Sequence, residues 1–255
     1  MDLIALHTEL IDAYKPCDCG CVADELPNLV ADDVIQALIM KVFNAQGLYT
    51  QSAEMTTAIF NDLWKGVLKG LDTEGDYSED AAFIEALKTN VSQFSAAKDK
   101  TMLRELNRAL VNDQGALLSF EEFKAIAQKI TGEYLRTYLK TEYNLAITGA
   151  QMAAKWKTIL ANADTLPLLQ FDAVLDKRTT EICRPLDGVI LPIDHVFWKR
   201  YTPPNHYLCR STIRQLASGK VTEDTKIPSI EIPRMFQTNL GEAQLIFPPD
   251  HPYFL

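Results

Sequence analysis

The chain has 255 residues, enough for one large or two modest domains, and its 47% hydrophobic and 23% charged content is that of an ordinary globular protein. A net charge of -9 gives no overall attraction to nucleic acid, so a contact of that kind needs a local basic patch. The candidates are small: Lys177-Arg178, Lys199-Arg200 and the stretch from Arg210 to Arg214. No window nears about eighteen uninterrupted apolar residues, which speaks against a membrane span. The acidic start, MDLIALHTELIDAYKP, lacks a basic flank with a long apolar run and so argues against a secretory signal. Five cysteines, an odd number, suit reduced thiols or metal ligands better than a disulfide framework.

In chain order, Leu3, Leu6, Leu10 and Ala13 predict a short amphipathic helix over residues 2–14, ended by Pro16. The CDCGC segment follows. Cys17, Cys19 and Cys21 alternate with other residues there, with His7 the nearest further ligand. A metal clip and a redox-sensitive site both stay open there. A second helix is predicted over residues 28–45, with Gly47 as its stop, and a third over 52–69, carrying Met55, Ile59, Phe60, Leu63, Trp64 and Val67. Ser78 marks a helix start, and two helices fit residues 81–94 and 99–112. Ser119-Phe-Glu-Glu then caps a longer run to about residue 161, with a break expected at Thr131-Gly132. Tyr134, Tyr138, Leu145, Met152, Trp156 and Ile159 on that run are expected in the core, with an assembly surface as the alternative.

After Asn162 the texture changes. Ten of the twelve prolines follow it, helical periodicity stops, and the apolar runs at 166–175 and 188–191 read as strands between turns. The boundary is therefore placed there: a helical domain at 1–161 and a turn-rich domain at 162–255. The fold class expected is α+β, a mainly helical N-terminal part whose long helix leads into a small C-terminal α+β domain.

Residues 171–214 read FDAVLDKRTTEICRPLDGVILPIDHVFWKRYTPPNHYLCRSTIR. Asp176, Arg178, Thr179, Cys183, Asp187, Gly188, Pro203, Pro204, His206, Cys209 and Arg210 form one ordered series in it. This series resembles the phage head morphogenesis family, the Mu F-like minor head proteins, whose pattern runs D-x-R-T-x-x-x-C-x-x-L-D-G, a variable stretch with Trp, then P-P-x-H-x-x-C-R. The resemblance covers about residues 143–255, including a tail ending in His251-Pro252-Tyr253. It implies a minor head protein that works at the portal vertex in capsid assembly, DNA packaging or delivery. The implied partners are portal and capsid proteins, with phage DNA a further candidate and no membrane, and the implied location is the virion or the bacterial host cytoplasm.

Three chemical readings attach to the series. Cys183, His206 and Cys209 are candidate ligands of a zinc ion, since His-x-x-Cys puts two donors on one turn and a distant cysteine can close the site. The family often has further cysteines in these blocks; Thr180 and Ser211 stand in their place here, which leaves three soft ligands, and Asp176, Asp187, His195 or water could supply a fourth. The bland alternative makes both cysteines small buried apolar residues and His206 a hydrogen-bonded turn residue. Arg178 and Arg210 are expected to pair with Asp176 or Asp187 and pin the loops, and Asp187-Gly188 reads as a hairpin turn. The rival functional reading is a metal-assisted hydrolase or nuclease with Asp176, His206 and Arg210 as candidate catalytic groups. No spacing fixes a nucleophile, and there is no phosphate-binding loop of the GxxxxGK[ST] or GxGxxG kind.

Overall fold

A computed structural model describes residues 29–72 and 80–255. The expected first helix, His7, the CDCGC cysteines and Ser78 lie outside the described residues. The described chain is α+β. Helices α1 (Asp32–Ala45), α2 (Ala53–Leu71), α3 (Ala81–Arg108), α4 (Phe120–Gly132) and α5 (Leu139–Ala161) come first, followed by strands β1 (Leu168–Asp172) and β2 (Ile190–Pro192), the short helix α6 (Phe197–Tyr201), β3 (Thr212–Leu216) and α7 (Leu240–Ala243).

Local chemistry sets the helix ends. The Ser52 hydroxyl accepts the Met55 N–H at 3.1 Å, which starts α2, and Ser119 with Glu122 forms a reciprocal capping box at α4. Two helices were expected across residues 81–112, but the chain forms one, α3. Residues 95–98, Ser-Ala-Ala-Lys, contain no helix breaker, and the charged pair Lys98-Asp99 that suggests a surface boundary points inward. The expected break at Thr131-Gly132 is likewise absent. Residues Glu133–Tyr138 continue from α4 as a π-helical turn, with the Leu139 N–H bonding to the Tyr134 carbonyl five residues back, and α5 follows directly. The wider turn rotates the apolar stripe, so Tyr134, Tyr138, Leu145, Met152, Trp156 and Ile159 are all buried.

Helices α2 and α5 touch at backbone distance. A β-carbon on Gly70 would lie 2.4 Å from the Ile147 carbonyl oxygen and 2.9 Å from the Ala150 β-carbon, so only glycine fits there. One apolar core fills the helical part, and a second lies between the end of α5 and the sheet, where Met152, Trp156 and Ile159 meet Leu169, Phe171, Leu191 and Ile213. The sheet is antiparallel in the order β2-β1-β3. Strand β3 occupies residues that looked like a basic patch.

The tail does not stay with the sheet. Ile246, Phe247 and Tyr253 are part of the helical core, where Phe247 stacks on Phe94 with ring centroids 3.7 Å apart. The Asn90 side chain binds the tail backbone on both sides: its amide donates to the Phe247 carbonyl at 3.1 Å, and its oxygen accepts the Ile246 and Phe247 N–H groups at 2.9 and 2.7 Å. At its far end the Lys98 ammonium donates to the Glu142 carboxylate at 2.9 Å and to the Tyr253 hydroxyl at 3.1 Å, with both charged side chains fully buried.

Candidate metal centre

Two loops build the site. In the first, after β1, the Asp176 carboxylate accepts the Arg178 N–H at 2.8 Å and closes a turn. The Thr180 hydroxyl accepts the Cys183 N–H at 3.3 Å, and the Arg184 N–H reaches the Thr180 carbonyl at 3.0 Å. That single turn aims Cys183 inward. The second loop leaves α6 through the cis peptide between Pro203 and Pro204. Its Thr202 hydroxyl donates to the Trp198 carbonyl, and the Asn205 amide donates to the Tyr201 carbonyl at 3.2 Å. Leu208 has φ +60°, a left-handed conformation rare for a branched side chain, and it turns the chain so that the Cys209 N–H meets the His206 carbonyl at 3.3 Å.

These turns bring three ligand-type side chains together. The Cys183 and Cys209 sulfurs are 3.7 Å apart, His206 Nε2 is 3.3 Å from the Cys183 sulfur, and all three donor atoms lie within 4.8 Å of one another. Both cysteines are free and buried. His206 Nδ1 is 2.7 Å from the Tyr207 carbonyl oxygen, a contact that requires the proton on Nδ1 and leaves Nε2 facing the sulfurs. The Thr180 hydroxyl is 3.1 Å from the same Nε2. A cavity of about 10 Å³ beside the cluster is lined by Thr180, Cys183, His206, Arg210 and Ser211 among others.

Electrostatics divides the two thiols. The hydrogen bond from Cys183, then those with His206 and the Asn205 backbone, hold Cys209 far below the usual thiol range against the opposing effect of burial. Cys183, the donor in that pair, is pushed far up by the same bond and by burial. Burial works to lower the His206 pKa, but its bond with Cys209 and that sulfur's charge outweigh it and the net shift is upward. One sulfur is thus held toward thiolate in contact with an imidazole and a second sulfur.

The remaining candidates are engaged elsewhere. Asp176 has both oxygens on the Arg210 guanidinium, at 2.9 and 2.7 Å, which holds its carboxyl well below the ordinary range, and Arg178 is 3.8 Å away. Asp187 accepts the Ala173 N–H at 2.8 Å. Asp187-Gly188 is not the tip of a hairpin: Gly188 has φ +77° and donates to the Phe171 carbonyl at 2.9 Å, at the end of a long β1–β2 connection. His195 Nδ1 accepts the Phe197 N–H at 3.1 Å and its Nε2 is 3.6 Å from Asp224. His251 is buried, with Nε2 2.9 Å from the Tyr207 hydroxyl and Nδ1 accepting the Tyr253 N–H. Burial and the Lys98 charge lower its pKa far below the usual value. Arg200 and Arg214 face Glu231 and Asp172. Thr180, read from sequence only as a missing cysteine, has its hydroxyl 3.1 Å from His206 Nε2.

Residues 100–214 match the family model described as Phage Mu protein F like protein. Over this segment the chain is similar to the Mu protein F-like family. The match begins within α3 and ends in β3, earlier at both ends than the resemblance read over 143–255, so it includes α4 and α5 and leaves out the tail. The chain is also similar to a protein of Escherichia phage Mu named "Putative capsid assembly protein F", with 32% identity over 85 residues. That similarity covers 33% of this chain but only 19% of the Mu protein. No solved structure matches the chain. Among the described residues, no helix is long and apolar enough to cross a membrane.

Proposed function

We propose that this chain is a minor head protein that acts in phage capsid assembly at the portal vertex, in assembly itself or in the packaging and delivery of DNA. The observation that carries this is the Mu protein F-like segment, supported by the similarity to a Mu protein whose name refers to capsid assembly. On this reading its partners are portal and capsid proteins, and it is found in the virion or in the host cytoplasm before assembly. The fold supplies a helical body tied at one end to a loop-rich corner, a rigid part to be carried on a larger particle. Because the tail is built into the helical core, the helices cannot be removed as a detachable arm, and the test must use the whole chain. Co-expression with the portal protein of the same phage genome, followed by size-exclusion chromatography, is expected to show co-elution with the portal ring. Separation at low and at physiological salt would overturn the portal reading.

The second reading, a metal-dependent hydrolase or nuclease, is favoured by one observation: Cys183, His206 and Cys209 converge beside Asp176 and Arg210. Zinc-dependent DNA cleavage that is lost in His206→Ala would establish it. Its weak point is Asp176, whose two oxygens are committed to Arg210 and so are poorly placed to take a proton from water.

A further inference from the structure

Three donors from two separate loops converge here, and their spacing can be compared with that of a coordination sphere. A tetrahedral zinc ion has Zn–S near 2.3 Å and Zn–N near 2.0–2.1 Å, so the edges between its ligands are about 3.8 Å for S···S and about 3.5 Å for S···N. The Cys183–Cys209 edge is 3.7 Å and the Cys183–His206 edge is 3.3 Å. A disulfide would need the sulfurs at about 2.0 Å, so the thiols stand near a metal's spacing and far from a bond's.

The outer contacts agree. His206 Nδ1 is held by the Tyr207 carbonyl at 2.7 Å, the arrangement that orients a ligating imidazole and leaves Nε2 as the donor. The two sulfurs are buried, which suits a closed inner face. The side facing Thr180 and Ser211 is different: it opens on the cavity of about 10 Å³, room for about one water molecule. None of Asp176, Asp187 or His195 turns toward the cluster, since each is committed to another partner.

We infer that this chain binds one zinc ion through Cys183 Sγ, Cys209 Sγ and His206 Nε2, with a water molecule in the cavity beside Thr180 and Ser211 as the exchangeable fourth ligand. Both sulfurs enter as thiolates without oxidation, and the proton that Cys183 still carries is released to solvent. The ion ties the loop after β1 to the loop after α6, which the Arg210–Asp176 pair also joins. This assignment does not depend on the role proposed above in the phage head.

The test uses the full-length chain with Cys17, Cys19 and Cys21 replaced by serine, so that only Cys183 and Cys209 remain as thiols. Purified without chelator and analysed by elemental mass spectrometry, it is expected to carry about one zinc per chain. In Cys209→Ser the zinc is expected to be lost. Should that variant fail to fold, the parent decides on its own: cobalt(II) exchanged into it is expected to give the intense visible bands of a tetrahedral site and a sulfur-to-cobalt charge-transfer band. A parent free of metal that gives no tetrahedral cobalt spectrum would overturn the site. So would a mass two daltons short, showing a Cys183–Cys209 disulfide in protein made under reducing conditions. In Thr180→Cys the water is expected to give way to a third sulfur, with a stronger charge-transfer band. An unchanged spectrum there would overturn the placement of the fourth position.

Discussion

Two ion pairs of nearly equal length hold the two ends of this molecule, and they work in opposite settings. Lys98 and Glu142 meet at 2.9 Å with no exposure of either side chain, inside a ring of tyrosines that includes Tyr134, Tyr138 and Tyr253. Arg210 and Asp176 meet at 2.7 Å with about a third of each side chain open to water. In the first, desolvation dominates: burial lowers the lysine pKa despite the adjacent carboxylate. In the second, the guanidinium's hydrogen bonds to a solvated carboxylate dominate. The helical core therefore depends on each partner being present, whereas the loop corner can lose its pair and keep its fold.

The largest effect that would break this contrast is at Lys98. Lys98→Met leaves the Glu142 carboxylate buried without its ammonium and is expected to destabilise the protein by about 3–5 kcal/mol in urea unfolding. Lys98→Met with Glu142→Leu removes both charges and is expected to recover most of that loss. A double variant as unstable as the single one would mean that the pair itself, rather than the stranded charge, holds the core.

Asp99, next in sequence, sharpens the picture through pH. Its carboxyl is buried, accepts the Ser52 N–H and the Thr56 hydroxyl at 2.9 and 3.2 Å, and is pushed up to about 6, mainly by burial. Because the folded pKa lies above the unfolded one, this group's contribution is complete below about pH 4 and is lost as pH rises through about 6. The shift corresponds to about 3 kcal/mol across that window. Asp99→Asn, which keeps an acceptor oxygen, is expected to flatten that part of the stability–pH curve. An unchanged slope would assign the titration to another group.

Helix contact is the next step down. Gly70→Ala puts a methyl against the Ile147 carbonyl and is expected to cost about 1–3 kcal/mol by forcing α2 and α5 apart. Calorimetry on the purified chain checks it, and an unchanged melting temperature would mean that this interface slides freely.

These buried features were the least legible in sequence. Helix α2 could be read because Met55, Ile59, Leu63 and Val67 repeat at helical spacing. The single helix α3 could not, because Lys98-Asp99 looks like a surface break until Glu142 and Ser52, which lie far away in sequence, are seen to receive it. The clamp of Asn90 on Phe247 joins residues 157 apart and leaves no local pattern. In the loop corner the residue types were visible and the partners only partly so. His206 and Cys209 share a turn, and an Arg–Asp pair was expected. Asp187 and His195, plausible ligands by type, are taken up by the loops' own N–H groups, a competition that only the folded backbone reveals.

The smallest expected effect is at the exposed pair. Arg210→Ala removes both hydrogen bonds to Asp176, but the freed carboxylate can turn to water, so global stability is expected to change little. The coupling between the two residues, from a double-mutant cycle with Asp176→Ala, should shrink as salt is raised toward about 1 M, where screening acts over about 3 Å. The Lys98–Glu142 coupling should stay nearly constant over the same range, because no counter-ion reaches it. If both couplings fell together with salt, water and ions would have to enter the helical core, and the contrast between the two ends of the molecule would fail.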